Sequence, residues 1–299
     1  MPRSAWILLL TLSLLWGGSY LSARVAAPVL PPFTLVFLRC ALAAAVLLAV
    51  LRLGGTRLGW TRRQVADYAG MGFLNNVVPF ALIFYGTAHI GAGLASILNA
   101  TTPIFTALVA HAFTTDERLT ANKTVGVILG FVGVAEMLGL GALADLGWHL
   151  TAELACLAAA VSYAFSTLWG RRFRGQPPLK TAAGQLTLSS LMVLPLMLVA
   201  EAPWTLPLPA GDVIAAVAFL AFGATALAYI LFFRILTLAG SNVMLVTFLV
   251  PVSAILLGVA VLGETLAPRH WVGMGLIMAG LVAIDGRVWR RMMAGFARH

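Results

Sequence analysis

Ten apolar stretches, each long enough to cross a bilayer, account for nearly the whole chain. A spanning helix needs about 20 predominantly apolar residues. Runs of that kind lie near 5–25, 33–52, 65–87, 92–113, 122–141, 150–170, 180–200, 212–235, 241–262 and 268–286. The links between them leave no room for a soluble domain. A water-soluble domain of this size carries roughly 25% charged residues. Here 10% are charged against 61% apolar, and the mean hydropathy is +0.97. Such a surface cannot be wetted, so lipid is the expected solvent and an all-α membrane protein with ten transmembrane helices is the expected class. The opening run has the look of a signal sequence, with Arg3 ahead of Ala5 to Leu15. Because it continues past Trp16 and nine more follow, it reads as the first span. Cys40 and Cys156 fall inside expected spans and read as small buried apolar residues, not as a disulfide pair.

The stretches also repeat. Asn99 and Pro103 share an apolar run that is followed by Asp116-Glu117-Arg118-Leu119, then Gly126 and Gly133. Thr247 and Pro251 share another, followed by Gly263-Glu264-Thr265-Leu266, then Gly273 and Gly280. The prolines are offset by 148 positions, the glutamates and glycines by 147. Trp16-Gly17-Gly18-Ser19 with Arg24 aligns with Tyr163-Ala164-Phe165-Ser166 with Arg171, again at 147, and Pro31-Pro32 with Pro177-Pro178 at 146. Two halves, 1–147 and 148–299, with five spans each, point to one architecture built by duplication.

The basic residues orient those halves. A net charge of +9 would suit nucleic acid if it were clustered, but it is sorted by loop. Arg52, Arg57, Arg62 and Arg63 fall between spans two and three, and Arg171, Arg172, Arg174 and Lys180 between six and seven. Arg287, Arg290, Arg291 and Arg298 follow span ten, and Arg3, Arg118, Lys123 and Arg234 lie on the same side. The opposite loops hold Asp145, Glu201, Asp212 and Glu264, with Arg24 and Arg269 as basic counterweights. Lysine and arginine stay cytoplasmic during insertion. Both termini are therefore expected in the cytoplasm of a multi-pass bacterial inner-membrane protein, and no nucleic-acid partner is expected. Five is odd, so the second half enters the bilayer upside down. Glu117 then belongs to a cytoplasmic loop and its counterpart Glu264 to an outer one. Inverted repeats are a recurrent design of secondary transporters, which rock around a central cavity.

The residues themselves carry a resemblance. Phe37-Leu38-Arg39 with Ala41, the Phe84-Tyr85-Gly86-Thr87-Ala88 stretch leading into Gly91-Ala92-Gly93-Leu94-Ala95, then Pro103, Glu117, Gly126 and Gly133, resemble an EamA-type repeat. Leu249-Val250-Pro251 through Leu262-Gly263-Glu264-Thr265-Leu266 is similar and closer to that pattern at its turn. The chain thus resembles, over nearly all its length, the drug/metabolite transporter superfamily. The resemblance implies ten helices, cytoplasmic termini, a central substrate cavity and, as in many members, export of amino acids or other metabolites. Asp116-Glu117 stands where the pattern has Gly-Glu, a small departure.

Candidate site residues are the polar and aromatic groups at mid-span depth. Asn75 and Asn76 precede Pro79 in span three. Buried amides are costly unless bonded, so they face either a partner helix or a watery cavity. Asn99 lies four residues before Pro103, at the carbonyl a proline ring disturbs, and Thr247 and Pro251 repeat the arrangement. The kinked spans at Pro79, Pro103 and Pro251 are candidate gates, with a purely structural kink as the alternative. Trp16 and Tyr163 correspond in spans one and six. They lie too deep for an interfacial belt and suit a solute with an apolar or aromatic side chain, if they are not simply packing residues. Ser19, Ser166 and Tyr229 add hydroxyls at similar depth. Tyr85 sits near the outer end of span three beside His89, which reads as a loop-edge residue. Arg39 is charged inside span two, at a cost of roughly 2.5–3.5 kcal/mol. It reads first as a structural tie, alternatively as a polar anchor near a substrate carboxylate, and its repeat partner is Gln185. Gly126, Gly130 and Gly133, with Gly273 and Gly280, share a helix face and read as packing residues.

Absences narrow the solute. Glu136, Glu153, Asp67 and Asp285 all fall near span ends, so coupling through a central acid is not expected. Neither Lys123 nor Lys180 is mid-membrane, which disfavours phosphate esters, whose carriers want several buried cations. Gly17-Gly18-Ser19-Tyr20 falls one residue short of the GxSG string of rhomboid-type proteases, and there is no HExxH or Walker loop. An intramembrane enzyme, a channel or a receptor is the weaker alternative; no catalytic residue, metal site or cofactor is expected. The reading is a secondary transporter that exports small neutral or zwitterionic metabolites, foremost amino acids with apolar or aromatic side chains, by alternating access. A nucleobase or lipophilic drug is the runner-up solute.

Overall fold

The computed structural model describes residues 3–115, 118–138 and 148–285. Asp116, Glu117, Asp145, Arg287, Arg290, Arg291 and Arg298, which bore on topology above, lie outside the described residues. Those described are helical, without strands. In chain order the long elements are α1 (Arg3–Ala26), α2 (Pro32–Leu53), α3 (Arg62–Ile90), α4 (Ala92–Phe113), α5 (Ala121–Leu138), α6 (His149–Phe173), α7 (Pro178–Glu201), α8 (Gly211–Ala239), α9 (Asn242–Leu262) and α10 (Pro268–Asp285). Over their described residues eight of them, all but α5 and α10, are long and apolar enough to cross a membrane. α5 and α10 have 18 residues each, and polar residues such as Asn122, Lys123 and Arg269 begin them.

Local chemistry sets the helix ends. Before α3, the Gln64 N–H donates to Thr61 Oγ1 (3.3 Å) and the Thr61 N–H donates to Gln64 Oε1 (3.1 Å), a reciprocal capping box. Thr61→Ala is expected to cost about 1 kcal/mol, read as a small drop in the melting temperature of the detergent-solubilised protein. α2 and α7 open on Pro32 and Pro178, whose missing N–H would have had no helical partner there. Gly91 alone turns α3 into α4, at φ +85°, where a side chain would be strained.

Several helices depart from α geometry beside prolines. Phe73–Val77 in α3 forms a π turn just ahead of Pro79. The proline ring collides with the carbonyl four residues back, here that of Asn75, and the wider turn bonds the Val78 N–H to the Phe73 carbonyl instead. α8 carries a longer π stretch, Phe219–Leu227, without any proline. α4 breaks between Asn99 and Thr102, ahead of Pro103, and Thr102 Oγ1 donates to the freed Asn99 carbonyl at 2.7 Å. Pro251, by contrast, lies inside the uninterrupted helix Val246–Leu262.

α2 packs along α7, and α5 along α10. α1 rests on α8 and α9, while α6 rests on α3 and α4. Small residues permit these approaches. A Cβ on Gly17 of α1 would stand 2.6 Å from Ser253 Cβ of α9, and one on Gly126 of α5 would stand 2.5 Å from the Gly280 carbonyl of α10. Gly133 meets the Gly273 carbonyl in the same way, at 2.7 Å. Cys40 and Cys156 are free and buried.

Polar contacts distinguish the two ends of the bundle. At one end, Glu201 accepts from the Phe33 and Thr34 amides at the start of α2 (2.8 and 2.6 Å) and from Thr34 Oγ1 (2.7 Å). Glu264, between α9 and α10, accepts from the Ala92 and Gly93 amides at the start of α4 (2.8 and 3.0 Å). Arg24 donates to the Thr87 and Ala88 carbonyls at the end of α3. At the other end Arg172 pairs with Asp67 at 3.1 Å and lies over the Trp169 ring.

Candidate functional site

A cavity of about 530 Å³ occupies the centre of the bundle, within the range of small-molecule sites. It reaches Gly170, Phe173 and Gln176 at the Arg172 end. Towards the opposite end its lining stops at Ile83, Phe84 and Ser96, short of the turns that Glu201, Glu264 and Arg24 hold together.

The π turn of α3 presents Asn75 to this space. Its Nδ2 donates to the Tyr229 hydroxyl of α8 at 3.0 Å, and its Oδ1 accepts from Ser166 Oγ of α6 at 3.1 Å. Gln185 of α7 also donates to the Tyr229 hydroxyl, at 2.8 Å. Asn75 of α3 and Gln185 of α7 thus both donate to one phenol of α8, and Ser166 of α6 joins them through Asn75. Trp16, Tyr20 and Tyr163 complete an aromatic wall, with Trp16 braced against Phe232 at 5.8 Å between centroids. Two amide oxygens, Asn99 Oδ1 and Gln185 Oε1, are buried with no hydrogen-bond partner among the described residues.

Among the described residues Arg39 is the one charged residue of the lining, and it is 7% exposed. Its Nε donates to Thr225 Oγ1 at 2.8 Å, and that hydroxyl donates onward to the Leu220 carbonyl within the π stretch of α8. The guanidinium lies 3.8 Å from the centroid of the Phe80 ring and 5.9 Å from that of Phe84. Such contacts stabilise a desolvated cation in part.

Of the residues singled out in the sequence, Trp16, Ser19, Arg39, Asn75, Asn99, Tyr163, Ser166, Tyr229 and Pro251 line the cavity. Ser19 turns its hydroxyl back to the Trp16 carbonyl (2.6 Å), so it offers less to a solute than its position suggests. Asn76 and Tyr85 stand elsewhere. Asn76 is fully buried and donates to Ser189 Oγ of α7 at 3.0 Å, which is the helix-bonding alternative for that amide. Tyr85 bonds Thr151 Oγ1 at 3.1 Å near the far end of α3. Pro79 and Pro103 lie behind the lining, one beyond the π turn and one beside Thr102. Tyr20, Thr225, Phe80 and Phe84 are lining residues the sequence reading passed over. Gln185 entered the sequence reading only as the repeat partner of Arg39; its standing as the lone glutamine of α7 was a signal that could have marked it for more.

Comparison with known proteins bears on this geometry. The pattern of the EamA-like transporter family matches residues 3–139 and again 150–284. The chain is 24% identical over 279 residues to the Bacillus subtilis protein named "Uncharacterized transporter YoaV", covering 91% of this chain and 94% of that one. It is 25% identical to the "Uncharacterized inner membrane transporter YedA" of Escherichia coli K12, with 92% and 89% covered. It is 26% identical to "Protein PecM" of Dickeya dadantii, with 90% and 88% covered. A solved crystal structure shares the fold at a TM-score of 0.66 and 22% identity, over 98% of this chain and 99% of that one.

Proposed function

From the premise that this chain belongs to the EamA-like transporter family, a family of multi-pass membrane proteins, we propose that it is a secondary transporter of small neutral or zwitterionic metabolites. Amino acids with apolar or aromatic side chains are the foremost solutes, and alternating access moves them outward. The observation that carries this reading is the central cavity of about 530 Å³, walled by aromatic rings, furnished with a few amides and hydroxyls, and reaching, among the described residues, the Arg172 end of the bundle.

Two inverted repeats of five helices, 1–147 and 148–299, make the access alternate, with α5 and α10 completing ten spans. The two family matches fall one in each half, and the packing supports the same relation. α1 on α9 corresponds to α6 on α4, α1 on α8 corresponds to α6 on α3, and the pairs α2–α7 and α5–α10 map onto themselves. Two of the three π stretches among the described residues fall in corresponding helices, α3 and α8, while the third, Met197–Glu201, ends α7. With the arginine-rich loops and both termini in the cytoplasm of a bacterial inner membrane, the cavity faces inward, and Glu201, Glu264 and Arg24 close the outer side. The break in α4 before Pro103, the π turn before Pro79 and the helix around Pro251 are the segments that gate it.

The test is flux into liposomes across an amino-acid panel that also holds nucleobases and a lipophilic drug, with and without a pH gradient. Asn99→Ala and Trp16→Ala are each expected to lower flux of the preferred solute roughly ten-fold, the effect of one lost hydrogen bond or ring contact. Unchanged flux in both variants for every amino acid moved would remove the cavity from the transport path.

A further inference from the structure

We infer that Arg39 receives the solute's carboxylate and that the Gln185 and Asn99 amide oxygens receive its N–H donors, so that the cavity selects for an ionised acid group. This rests on the transporter reading of the same cavity and adds what the site recognises.

A guanidinium buried in a membrane protein normally finds an anion. Among the described residues no carboxylate lies within ion-pair distance of Arg39, and none lines the cavity. Its protein hydrogen bond is made through Nε, to Thr225, and the Phe80 face covers one side of its plane. The two terminal nitrogens, the fork that matches a carboxylate bidentately, have no hydrogen-bond partner among the described residues. Thr225 and Phe80 therefore hold the cation in place while leaving its recognition edge unused. An arrangement serving only to tie α2 to α8 would not need a charge.

The complementary end is also present. Gln185 is 2% exposed, its amide nitrogen is fixed on Tyr229, and its oxygen is buried without a donor. Asn99 Oδ1 is likewise a buried oxygen without a donor among the described residues. An ammonium group carries three donors and no acceptor, so it suits an amide oxygen left without a donor. Gln185 and Arg39 stand at corresponding positions of α7 and α2, which pack against each other. A single positive charge matches a monoanion; a phosphate dianion would stay half neutralised, and a cationic drug would meet repulsion.

The experiment measures binding, so that it stands apart from flux. Purified protein in detergent is titrated with L-phenylalanine, L-leucine and their carboxamides, and binding is read from the rise in melting temperature. The free amino acids are expected to bind roughly 10–100-fold more tightly than the carboxamides, the share of a charge-assisted hydrogen bond. Arg39→Gln is expected to erase that preference while keeping carboxamide binding; Arg39→Lys, a point charge without the fork, retains part of it. Gln185→Leu, which keeps Arg39, is expected to weaken the amino acids without abolishing the carboxylate preference. Carboxamides that bind the native protein as tightly as the acids, or no binding of either acid, overturn the inference whatever the variants do. A preference that survives in folded Arg39→Gln overturns it too. Binding with the expected preference but without liposome flux would uphold this inference and sink the transporter reading.

Discussion

Glu264→Ala is expected to destabilise the protein by roughly 3 kcal/mol, since hydrogen bonds to a charged group contribute about 1.5–3 kcal/mol each and this carboxylate makes two. Glu264 Oε1 accepts from the Ala92 amide at 2.8 Å and Oε2 from the Gly93 amide at 3.0 Å. Those amides begin a helix, where the backbone dipole favours negative charge. The Gly91 backbone at φ +85° sets up the turn that exposes them, and Gly258 leaves room, since a Cβ there would stand 2.6 Å from Oε2. The bonds also join the second half of the chain to the first at the end where the cavity stops. Their loss should therefore lower the melting temperature by several degrees and favour opening of that end. A Leu94→Cys thiol, at a position 6% exposed in the native protein, would then be modified faster by a thiol reagent in the Glu264→Ala background. Cys40 and Cys156 are both 0% exposed, so the native thiols add little background. Glu264→Gln keeps one acceptor oxygen and should fall between. An unaltered melting temperature together with unaltered labelling would mean that the two amides are satisfied equally well without the carboxylate.

Gly17→Leu is expected to abolish flux and most of the folded yield. The first atom of any side chain at this position lands 2.6 Å from Ser253 Cβ and 2.9 Å from the Ala254 backbone nitrogen, so the conflict is with main chain as well as side chain. One turn away, Ser13 and Ser253 share a hydrogen bond of 2.6 Å between their buried hydroxyls, which the displaced helix would break. Overpacking alone costs about 1–3 kcal/mol, and here it acts where α1 and α9 both wall the cavity. Gly17→Ala should show the same defect in milder form. Gly211→Ala is the control, because nothing lies within 4 Å of a Cβ built there. Recovery of monodisperse protein and liposome flux are the two readings; a Gly17→Leu protein matching the native one in both would show that the helices separate freely.

The fold was legible in the sequence wherever a simple physical count sufficed. Apolar run length located the helices, and the turn glycines and helix-opening prolines marked their ends closely. Much of the cavity lining was legible because polar side chains at mid-span depth are few: Asn75, Asn99, Tyr163 and Tyr229 all line the cavity. Which of two adjacent amides turns inward was not legible. Asn75 and Asn76 have the same composition cost, and only the packing of α7, with Ser189 waiting beside Gly72, assigns Asn76 to the helix contact. Arg39 was readable as a buried charge but not as one lacking a carboxylate partner, since partners come from helices far away in the chain. The π stretch in α8 has no proline to announce it.

Along α3 the cavity is lined by Met71, Asn75, Phe80, Ile83 and Phe84. Asn75 and Phe80 are five positions apart, where Met71 and Asn75, and Phe80 and Phe84, are four apart, and the wide step crosses the π turn at Phe73–Val77. Each residue of a regular helix advances about 100° around the axis. An alanine or cysteine scan of α3 plotted on a uniform wheel will therefore rotate everything beyond Val77 by about one position, and would assign Phe80 and Phe84 to a neighbouring sector. The same correction applies across Phe219–Leu227 in α8. Deleting one residue within Phe219–Leu227, where no proline stands, shifts α8 back toward uniform α-helical register, whereas in α3 Pro79 would still disturb it.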